Sequence, residues 1–396
     1  QGDFLINNTI GFLGIKQHSM REDGAGYTGA LRYDLLRSDD PSFRPVDLEF
    51  APDGSLYLVD WHNALIGHMQ HSARDPNRDV DHGRIYRITY PGRPLVSAPQ
   101  IAGAPVEILL EHLKLPEYRA RYLTRRELRG REPEQVLAQL RSWVAALDPS
   151  GPGFEHHLLE GLWVTWGFNR VDEGLLERCL QGEDHRFRAA AVRVLRYSHH
   201  QISRSSQWLI RAAGDPHPRV RLEAMVSASW LDNEIGARVA AEAFRHPIEK
   251  WMKHASYAAM LTLDDDLRKG VASGRIAIAR NEVLRQYLAG DLPLKPTGKA
   301  KSIPVTNVPA AVMESFQLGR EVYHRDAHCV TCHQANGRGL PNIYPGLIKN
   351  EWVEGDPVRL IKVVLKGLWG PMVVNGEAFD PTSGTPPMTG FAPLLD

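Results

Sequence analysis

The sequence predicts a multidomain protein that combines a partial all-β propeller, an α-helical solenoid and a small all-α domain at the C-terminal end. Three observations predict this order: β-hairpin patterns near the N-terminus, a helical repeat in the middle, and a Gly- and Pro-rich end that follows one amphipathic helix. A chain of 396 residues also exceeds the usual length of one domain. We assign the propeller part to residues 1–98, the solenoid to 99–290, a linker to 291–308 and the last domain to 309–396.

The charge balance of the chain limits the partners that it can have. Its 47 Lys and Arg residues equal its 47 Asp and Glu residues in number, so it lacks the broad positive field that nucleic-acid binding uses. We expect no nucleic-acid partner. No apolar run approaches the roughly 18 residues that span a bilayer, and we expect no transmembrane segment in this chain. Residues 1–4 show no initiator methionine and no apolar leader, so an export signal would have been removed or would lie outside this chain.

The β pattern of the first part indicates hairpins. Apolar and polar residues alternate over 46–50, a Pro-Asp-Gly turn follows at 52–54, and residues 56–59 form the returning strand. The sequence pattern of residues 83–88 predicts another strand. Hairpins at this spacing are typical of propeller blades of about 40 to 45 residues. Because a propeller is stable when it closes on itself, we expect two blades from the C-terminal end of a larger propeller.

The middle of the chain contains an internal repeat. Residues 188–192 and 221–225 begin with arginine, lie 33 residues apart and each follow an acidic, turn-like stretch; a fainter copy lies near 253–258. Paired helices that cannot bury their apolar faces alone stack into a solenoid. The segment resembles HEAT repeats, whose concave surface suits a partner protein. Cys179, within a helical pattern here, is predicted to be a buried apolar side chain.

A C-x-x-C-H motif near the C-terminus carries the clearest chemistry. Cys329 and Cys332 are spaced to form thioethers with the two vinyl groups of one porphyrin, and His333 then meets the iron, as in haem c attachment. Half of a zinc site is the first alternative, but structural zinc needs four ligands and the third cysteine is the distant Cys179. A redox dithiol is the second, and it leaves His333 unexplained.

A low-spin iron used for electron transfer needs a second axial ligand, and a thioether raises its potential. Met388 is the predicted ligand because it lies 55 residues after His333, on a loop with two prolines at 386–387. Met372, which follows Gly370-Pro371, is the rival ligand. We therefore expect one covalent haem c with His333 and Met388 as its metal ligands.

Residues 309–396 resemble a class I cytochrome c domain. The resemblance rests on Gly319 and Tyr323 in the leading helix, the C-x-x-C-H run, Gly337-Arg338-Gly339-Leu340-Pro341, Tyr344-Pro345-Gly346-Leu347, Gly367-Leu368-Trp369-Gly370 and the Pro-Pro-Met sequence. It implies that Pro341 offers its carbonyl to the proximal His333 and that Tyr344 lies near a haem propionate.

The same resemblance has a consequence for the first helix of this domain. In the family, Gly319 lets a C-terminal helix cross closely over the face that also carries Phe316 and Tyr323. The sequence ends at Asp396, eight residues after Met388. We therefore expect this face and the haem edge to be exposed, or to be covered by another chain.

A second polar cluster follows the predicted strand at 56–59. Residues 60–82 contain four His, four Asp and two Arg, a density that is typical of a functional loop held by a rigid scaffold. One interpretation is a substrate, cofactor or metal site at the mouth of the propeller. The other is a hydrogen-bonded connection between strands. The first interpretation makes catalytic candidates of Asp60, His62, Arg78, Asp79 and His82.

Residues 45–90, together with the order of the three parts, are similar to the haem-binding C-x-x-C-H proteins of planctomycetes and their relatives. That family joins a sorbosone- or glucose-dehydrogenase-like propeller, HEAT-like repeats and a C-terminal C-x-x-C-H domain. The resemblance implies a dehydrogenase, independent of NAD, that oxidises a sugar or alcohol and passes electrons through haem c to a redox partner protein. A Ca²⁺ ion or a PQQ-like quinone in the propeller would fit the same scheme.

A non-catalytic subunit is the competing interpretation. Such a subunit would carry haem c and dock through its helical repeats on a larger redox complex. In both cases we expect a periplasmic or equivalent location, with any membrane association through a partner, because haem c is attached on the outer side of the cytoplasmic membrane.

Overall fold

The structure is a computed structural model of the chain, with a β-rich N-terminal part, a helical middle and a mixed C-terminal part. The residues that it describes are 2–9, 12–64, 78–292, 308–324, 329–334, 336–339, 344–380 and 388–392. Most of the predicted linker lies outside these ranges. Within them, no helix has both the length and the apolar character needed to cross a membrane.

The first sheet is an antiparallel meander of three strands. They are β1 (Phe4–Asn8), β2 (Gly14–Asp23) and β3 (Gly26–Arg37), paired in that order. The turn between β2 and β3 begins at Gly24, whose φ of +58° is a left-handed conformation that glycine adopts without strain. Ala25, at the tip of this hairpin, is fully buried.

The second sheet confirms the predicted hairpin and the strand after it. It contains β4 (Pro45–Phe50), β5 (Leu56–Asp60) and β6 (Arg84–Ile88), paired antiparallel in that order. Alternate residues of β5 are buried, and Leu58 packs with Ile15 in a small core. The sheets of the described residues do not close into a barrel, so the propeller stays a prediction.

The helical middle confirms the predicted change from strands to helices. Its helices share one continuous apolar core that runs from Ala104 to Leu284, and Cys179 is fully buried within it, as predicted. The helices are α1 (Val106–His112), α2 (Tyr118–Arg129), α3 (Pro133–Ala145), α4 (Phe154–Gly167), α5 (Glu173–Leu180), α6 (His185–Ser198), α7 (Ser205–Ala213), α8 (Pro218–Ala228), α9 (Asn233–Ala243), α10 (Met252–Ala272) and α11 (Glu282–Ala289).

An arginine clamp recurs in the turns that precede the repeated helices. Arg188 and Arg221 each donate from Nη1 to the carbonyls six and five residues earlier, over 2.8 to 2.9 Å. Arg121 makes the same two bonds at 2.7 and 2.8 Å. The carbonyls of these turns would otherwise lack intrahelical partners. The clamp at Arg121 reveals a further copy of the repeat turn that the sequence pattern did not show.

The C-terminal part consists, in its described residues, of three α-helices and two short antiparallel ladders. The predicted amphipathic helix is present, with a 3₁₀ turn at Ala310–Val312 leading into the helix proper. The elements are α12 (Met313–His324), α13 (Cys329–His333), α14 (Pro357–Lys366), β7 (Gly367–Leu368), β8 (Met372–Val374), β9 (Glu377–Phe379) and β10 (Met388–Thr389). Strand β10 pairs with β7, and β8 pairs with β9.

The β2–β3 hairpin docks by its tip onto the helical repeats. The backbone N–H of Ala25 donates to Glu249 Oε2 at 2.9 Å, and Arg219 donates to the carbonyl of Ala25 at 2.8 Å. The indole N–H of Trp251 donates to Asp23 Oδ2 at 3.2 Å. The backbone N–H and the carbonyl of Ala25 therefore both have hydrogen-bond partners in the helical repeats. These bonds hold the first sheet against the repeats.

Close backbone approach explains the glycines of this tip. A Cβ atom on Gly26 would lie 2.5 Å from the Trp251 ring, and one on Gly24 would lie 2.0 Å from Glu249 Oε2. No larger residue fits at Gly26 unless the tryptophan moves. The two glycines therefore permit the contact between sheet and helices.

Two stacked histidines lie under the same hairpin. The rings of His185 and His217 are 3.5 Å apart between centroids and nearly parallel, at 21°, and Glu22 Oε2 of β2 lies 3.4 Å from His185 Nε2. Burial lowers the pKa of His217, and the neighbouring His185 lowers it further. A protonated His217 is thus disfavoured in the folded protein.

We predict that the free energy of unfolding falls as the pH drops below about 6.5, and that His217→Asn reduces this slope. The folded protein holds the pKa of His217 below its unfolded value, so the unfolded state binds more protons in this range. Asparagine keeps an acceptor for the N–H of Arg219, which His217 now caps at 3.2 Å. Urea unfolding at pH values on both sides of 6.5 measures both slopes. Equal slopes in the wild type and the variant would contradict the prediction.

Candidate functional site

Helix α13 places both thiols of the C-x-x-C-H motif on one face. Cys329 and Cys332 are three residues apart in a single helical turn, so their side chains are neighbours on its surface. Both are half-buried, and neither forms a disulfide bond. His333 ends the same helix and is 9% exposed. The motif thus forms a compact group of two thiols and one buried imidazole.

A backbone carbonyl holds the imidazole of His333. Its Nδ1 lies 2.8 Å from the carbonyl oxygen of Pro345. Because a carbonyl only accepts, Nδ1 carries the proton and Nε2 keeps its lone pair. Burial lowers the pKa of His333, although the bond to Pro345 opposes this shift. The ring is therefore neutral and oriented, as a metal-binding imidazole requires.

A glycine allows Pro345 to reach His333. Gly339 has a φ of +66°, and its N–H donates to the carbonyl of His333 at 3.0 Å. A Cβ atom there would lie 2.2 Å from the carbonyl oxygen of Tyr344 and 2.7 Å from that of Pro345. The backbone of residues 344–346 therefore lies directly against Gly339.

This arrangement differs from the expected one in the identity of the acceptor. The carbonyl bound to His333 belongs to Pro345, whereas the resemblance implied Pro341, which lies outside the described residues. Pro345 and Gly346 pack closely on Gly339 and Arg338, and this packing brings the Pro345 carbonyl to the imidazole.

Two tyrosines flank the thiols. The hydroxyl of Tyr323 donates to the carbonyl of Gln334 at 2.7 Å, which ties α12 to the end of α13. Burial, together with the charge and hydrogen bond of Cys332, raises the pKa of Tyr344 to about 12. Tyr344 thus lies against Cys332; its predicted position near a haem propionate stays a prediction.

Both candidate methionines lie in short strands. Met388 is half-buried in β10, opposite Leu368, and the N–H of Phe391 donates to a carbonyl of α14 at 2.9 Å just beyond it. Met372 is half-buried in β8, opposite Phe379. Each methionine is therefore held by a backbone ladder, and both remain candidates for the second axial position.

The face of α12 around Gly319 is uncovered within the described part of the chain. A Cβ atom on Gly319 would meet no atom of the described residues within 4 Å, and Leu318 beside it is exposed. Val358 and Ile361 of α14 are also exposed. The described part of this domain thus leaves apolar helix faces uncovered.

The second cluster is centred on a buried carboxylate. Asp60 is 1% exposed, and its Oδ1 accepts from the backbone N–H of Arg44 at 2.6 Å and of His62 at 2.8 Å. The buried Arg44 donates from Nε to the carbonyl of Asn63 at 2.9 Å. These bonds hold the chain that leaves β5 in a fixed turn, in which His62 takes a left-handed φ of +50°.

The remaining candidates of this cluster pair among themselves or with residues that the sequence did not single out. Arg84, at the start of β6, donates to Asp40 Oδ2 and contacts His62 Nε2, both at 3.0 Å. Asp79 accepts from the backbone and ring of His82 at 3.0 to 3.1 Å.

Arg78, the last of these candidates, has its guanidinium 5.7 Å from the Trp61 ring. The structure therefore brings Asp60 and His62 together and pairs Asp79 with the exposed His82. Asn63 joins the two groups, because its side-chain amide donates to the Asp79 carbonyl at 2.8 Å. Over the described ranges, no three His, Cys, Asp or Glu side chains converge as a metal site. These bonds agree with the predicted hydrogen-bonded connection, and they give no support to a bound Ca²⁺ ion or quinone.

Comparison with known proteins gives three matches. Residues 173–260 match a family model of HEAT repeats, which confirms the predicted repeat type there. Residues 3–92 match a domain of unknown function (DUF7133). Cytochrome c-552 of Thermus thermophilus is 35% identical over 82 residues, which are 20% of this chain and 56% of that relative. The chain thus spans little more than half the length of this curated relative.

Proposed function

We propose that this chain is an electron-transfer protein with one covalently attached haem c in its C-terminal part. One observation carries the proposal: a buried, neutral imidazole, held through Nδ1 by Pro345, adjoins two cysteine thiols that lie on one helical turn and form no disulfide bond. The partial similarity to a cytochrome c supports it.

The residues present fit this group. Cys329 and Cys332 would bind it covalently, and His333 would ligate iron through Nε2. When bound, haem supplies one-electron oxidation and reduction. The Pro345 carbonyl keeps the His333 ring oriented and increases its basicity. Tyr323 positions α12 beside the motif, and Met388 is the proposed second ligand, whose thioether would raise the potential.

The two alternatives are less compatible with the geometry. A redox dithiol needs a thiolate, but burial raises the pKa of Cys329 and so disfavours that form at neutral pH. Zinc held by this motif needs more ligands, and in the described ranges no three suitable side chains converge.

For the biological role, we propose exchange of electrons with a redox partner protein outside the cytoplasm, where haem c is attached. The bonds from the backbone N–H groups of Arg44 and His62 to Asp60 support a structural role for that carboxylate. A subunit docked on a larger redox complex and a sugar or alcohol dehydrogenase are the two candidate roles. Exposed apolar residues on both sheets, such as Leu31 and Ile85, support contact with further protein. Haem reduction by glucose or ethanol without any protein donor would instead assign the oxidation to this chain.

We predict that Cys329→Ser with Cys332→Ser abolishes covalent haem, because serine forms no thioether with a vinyl group. Each protein is produced in the periplasm of a host that attaches haem c. Its covalently bound haem is then measured from the pyridine haemochrome spectrum of the denatured protein. Cys179→Ser is the matched control and should retain covalent haem, since Cys179 is buried in the solenoid core. A colourless wild-type protein would disprove the proposed function.

We predict that Met388→Ala removes the sulfur-to-iron charge-transfer band and lowers the reduction potential by roughly 0.1 to 0.3 V, within the range of about 0.8 V that axial ligands span. Optical spectra and redox titration measure the two effects. Met372→Ala is the matched control and should leave the band in place. A band that survives in Met388→Ala and disappears in Met372→Ala would move the ligand to Met372.

A further inference from the structure

A cleft of about 710 Å³ lies between the second sheet and the helical repeats, remote in sequence from the C-x-x-C-H motif. Its walls are the end of β4, the loop after β6, the connection between α1 and α2, and the start of α4. Its volume is within the range of small-molecule sites. The proposed electron transfer makes no use of it.

Positive charge predominates among the side chains of this cleft. Arg93, Lys114, Arg119 and Arg121 line it, against two carboxylates. One of these, Glu49, is 3.4 Å from Arg119 and so is already neutralised. Two histidines also line the cleft. Lys114 pairs with Glu111 at 2.9 Å, so a bound anion would share that ammonium with a carboxylate, and the guanidinium groups supply further donors.

A buried carboxylate fixes one of these cations in place. Glu160 is fully buried and binds Arg121 Nε at 2.9 Å, Arg125, and His156 Nε2 at 3.2 Å. Arg121 also forms the clamp on the turn beside the cleft. One negative charge is thus shared by two arginines and a histidine. The guanidinium of Arg121 is preorganised, and a net positive charge remains.

The titration of a neighbouring histidine agrees with this charge distribution. Burial lowers the pKa of His157, and the positive charges of His156, Lys114 and Arg121 lower it further, although Glu160 opposes them. The cations beside His157 thus act in the same direction as its burial.

Aromatic rings complete the lining. Tyr118 and Phe50 line the cleft and are 61% and 51% exposed, which leaves their rings available for apolar contact. Rings beside cationic side chains suit a ligand that carries an aromatic or other flat group next to its charge.

We infer that this cleft binds a small anionic molecule, in which a phosphate or carboxylate group meets Arg93 and Lys114 and a ring packs on Tyr118. This inference is independent of the proposed haem function, because no residue of the C-x-x-C-H motif takes part.

The test is calorimetric titration of the full chain with phenyl phosphate and with benzoate, and with phenol as the uncharged control. Binding of either anion, with phenol much weaker, supports the inference, and the tighter anion identifies the charged group. Arg93→Gln combined with Lys114→Gln should weaken binding at least about tenfold, because each charge-assisted hydrogen bond contributes on that order. Among the described residues, Lys114 pairs with Glu111 and lies 5.5 Å from the Trp143 ring, and it is partly exposed, so the variant should fold.

Arg141→Gln is the matched control, since Arg141 is exposed on α3 outside the cleft, and it should leave the affinity unchanged. Binding of phenol as tight as that of the anions would overturn the inference. So would an equal loss of affinity in Arg141→Gln, or no binding of either anion. None of these results depends on whether haem is attached, so failure here is distinguishable from failure of the proposed function.

Discussion

The hydrogen bond between His333 and the Pro345 carbonyl is the interaction on which the candidate site depends. It determines which ring nitrogen carries the proton, leaves the lone pair on Nε2, which would bind the proposed haem iron, and orients a buried imidazole through a neutral carbonyl. The bond exists only because residue 339 is glycine, since any Cβ atom there would overlap the backbone at 344–345. The need for glycine at residue 339 thus determines which nitrogen of His333 carries the proton and which keeps its lone pair.

In the helical part, arginine side chains hold the turns between helices by hydrogen bonds to backbone carbonyls. Arg121, Arg188 and Arg221 each satisfy two turn carbonyls, and Arg188 also pairs with Asp215 of the next repeat turn at 2.8 to 2.9 Å. These bonds connect neighbouring repeats through polar groups as well as through the apolar core. Beside the cleft, Arg121, Arg125 and His156 share the single carboxylate of Glu160, so positive charge is in excess there. Arg121 is therefore shared between the repeat framework and the wall of the inferred binding site.

The three parts differ in how completely they cover their apolar surfaces. The repeats enclose a continuous core, although they also expose apolar residues such as Leu261. In contrast, α12 and α14 have no buried residue and expose Leu318 and Ile361, and the sheets expose Leu31 and Ile85. Exposed residues of this kind are typical of surfaces that meet other protein. This distribution agrees with a proposed carrier that works beside a redox partner.

The features that depend on short spacings could be predicted from the residues alone: the hairpin at 46–59, the helices of the middle part, the burial of Cys179 and the group formed by Cys329, Cys332 and His333. Periodicity and motif spacing act over a few residues, so one sequence is enough to predict them. Long-range packing, in contrast, was needed to show that Pro345 holds His333, that Arg84 and Asp40 lie beside His62, and that Arg121 belongs to the repeats. These contacts join segments whose distance in space depends on how turns and helices pack, and no local pattern encodes that distance.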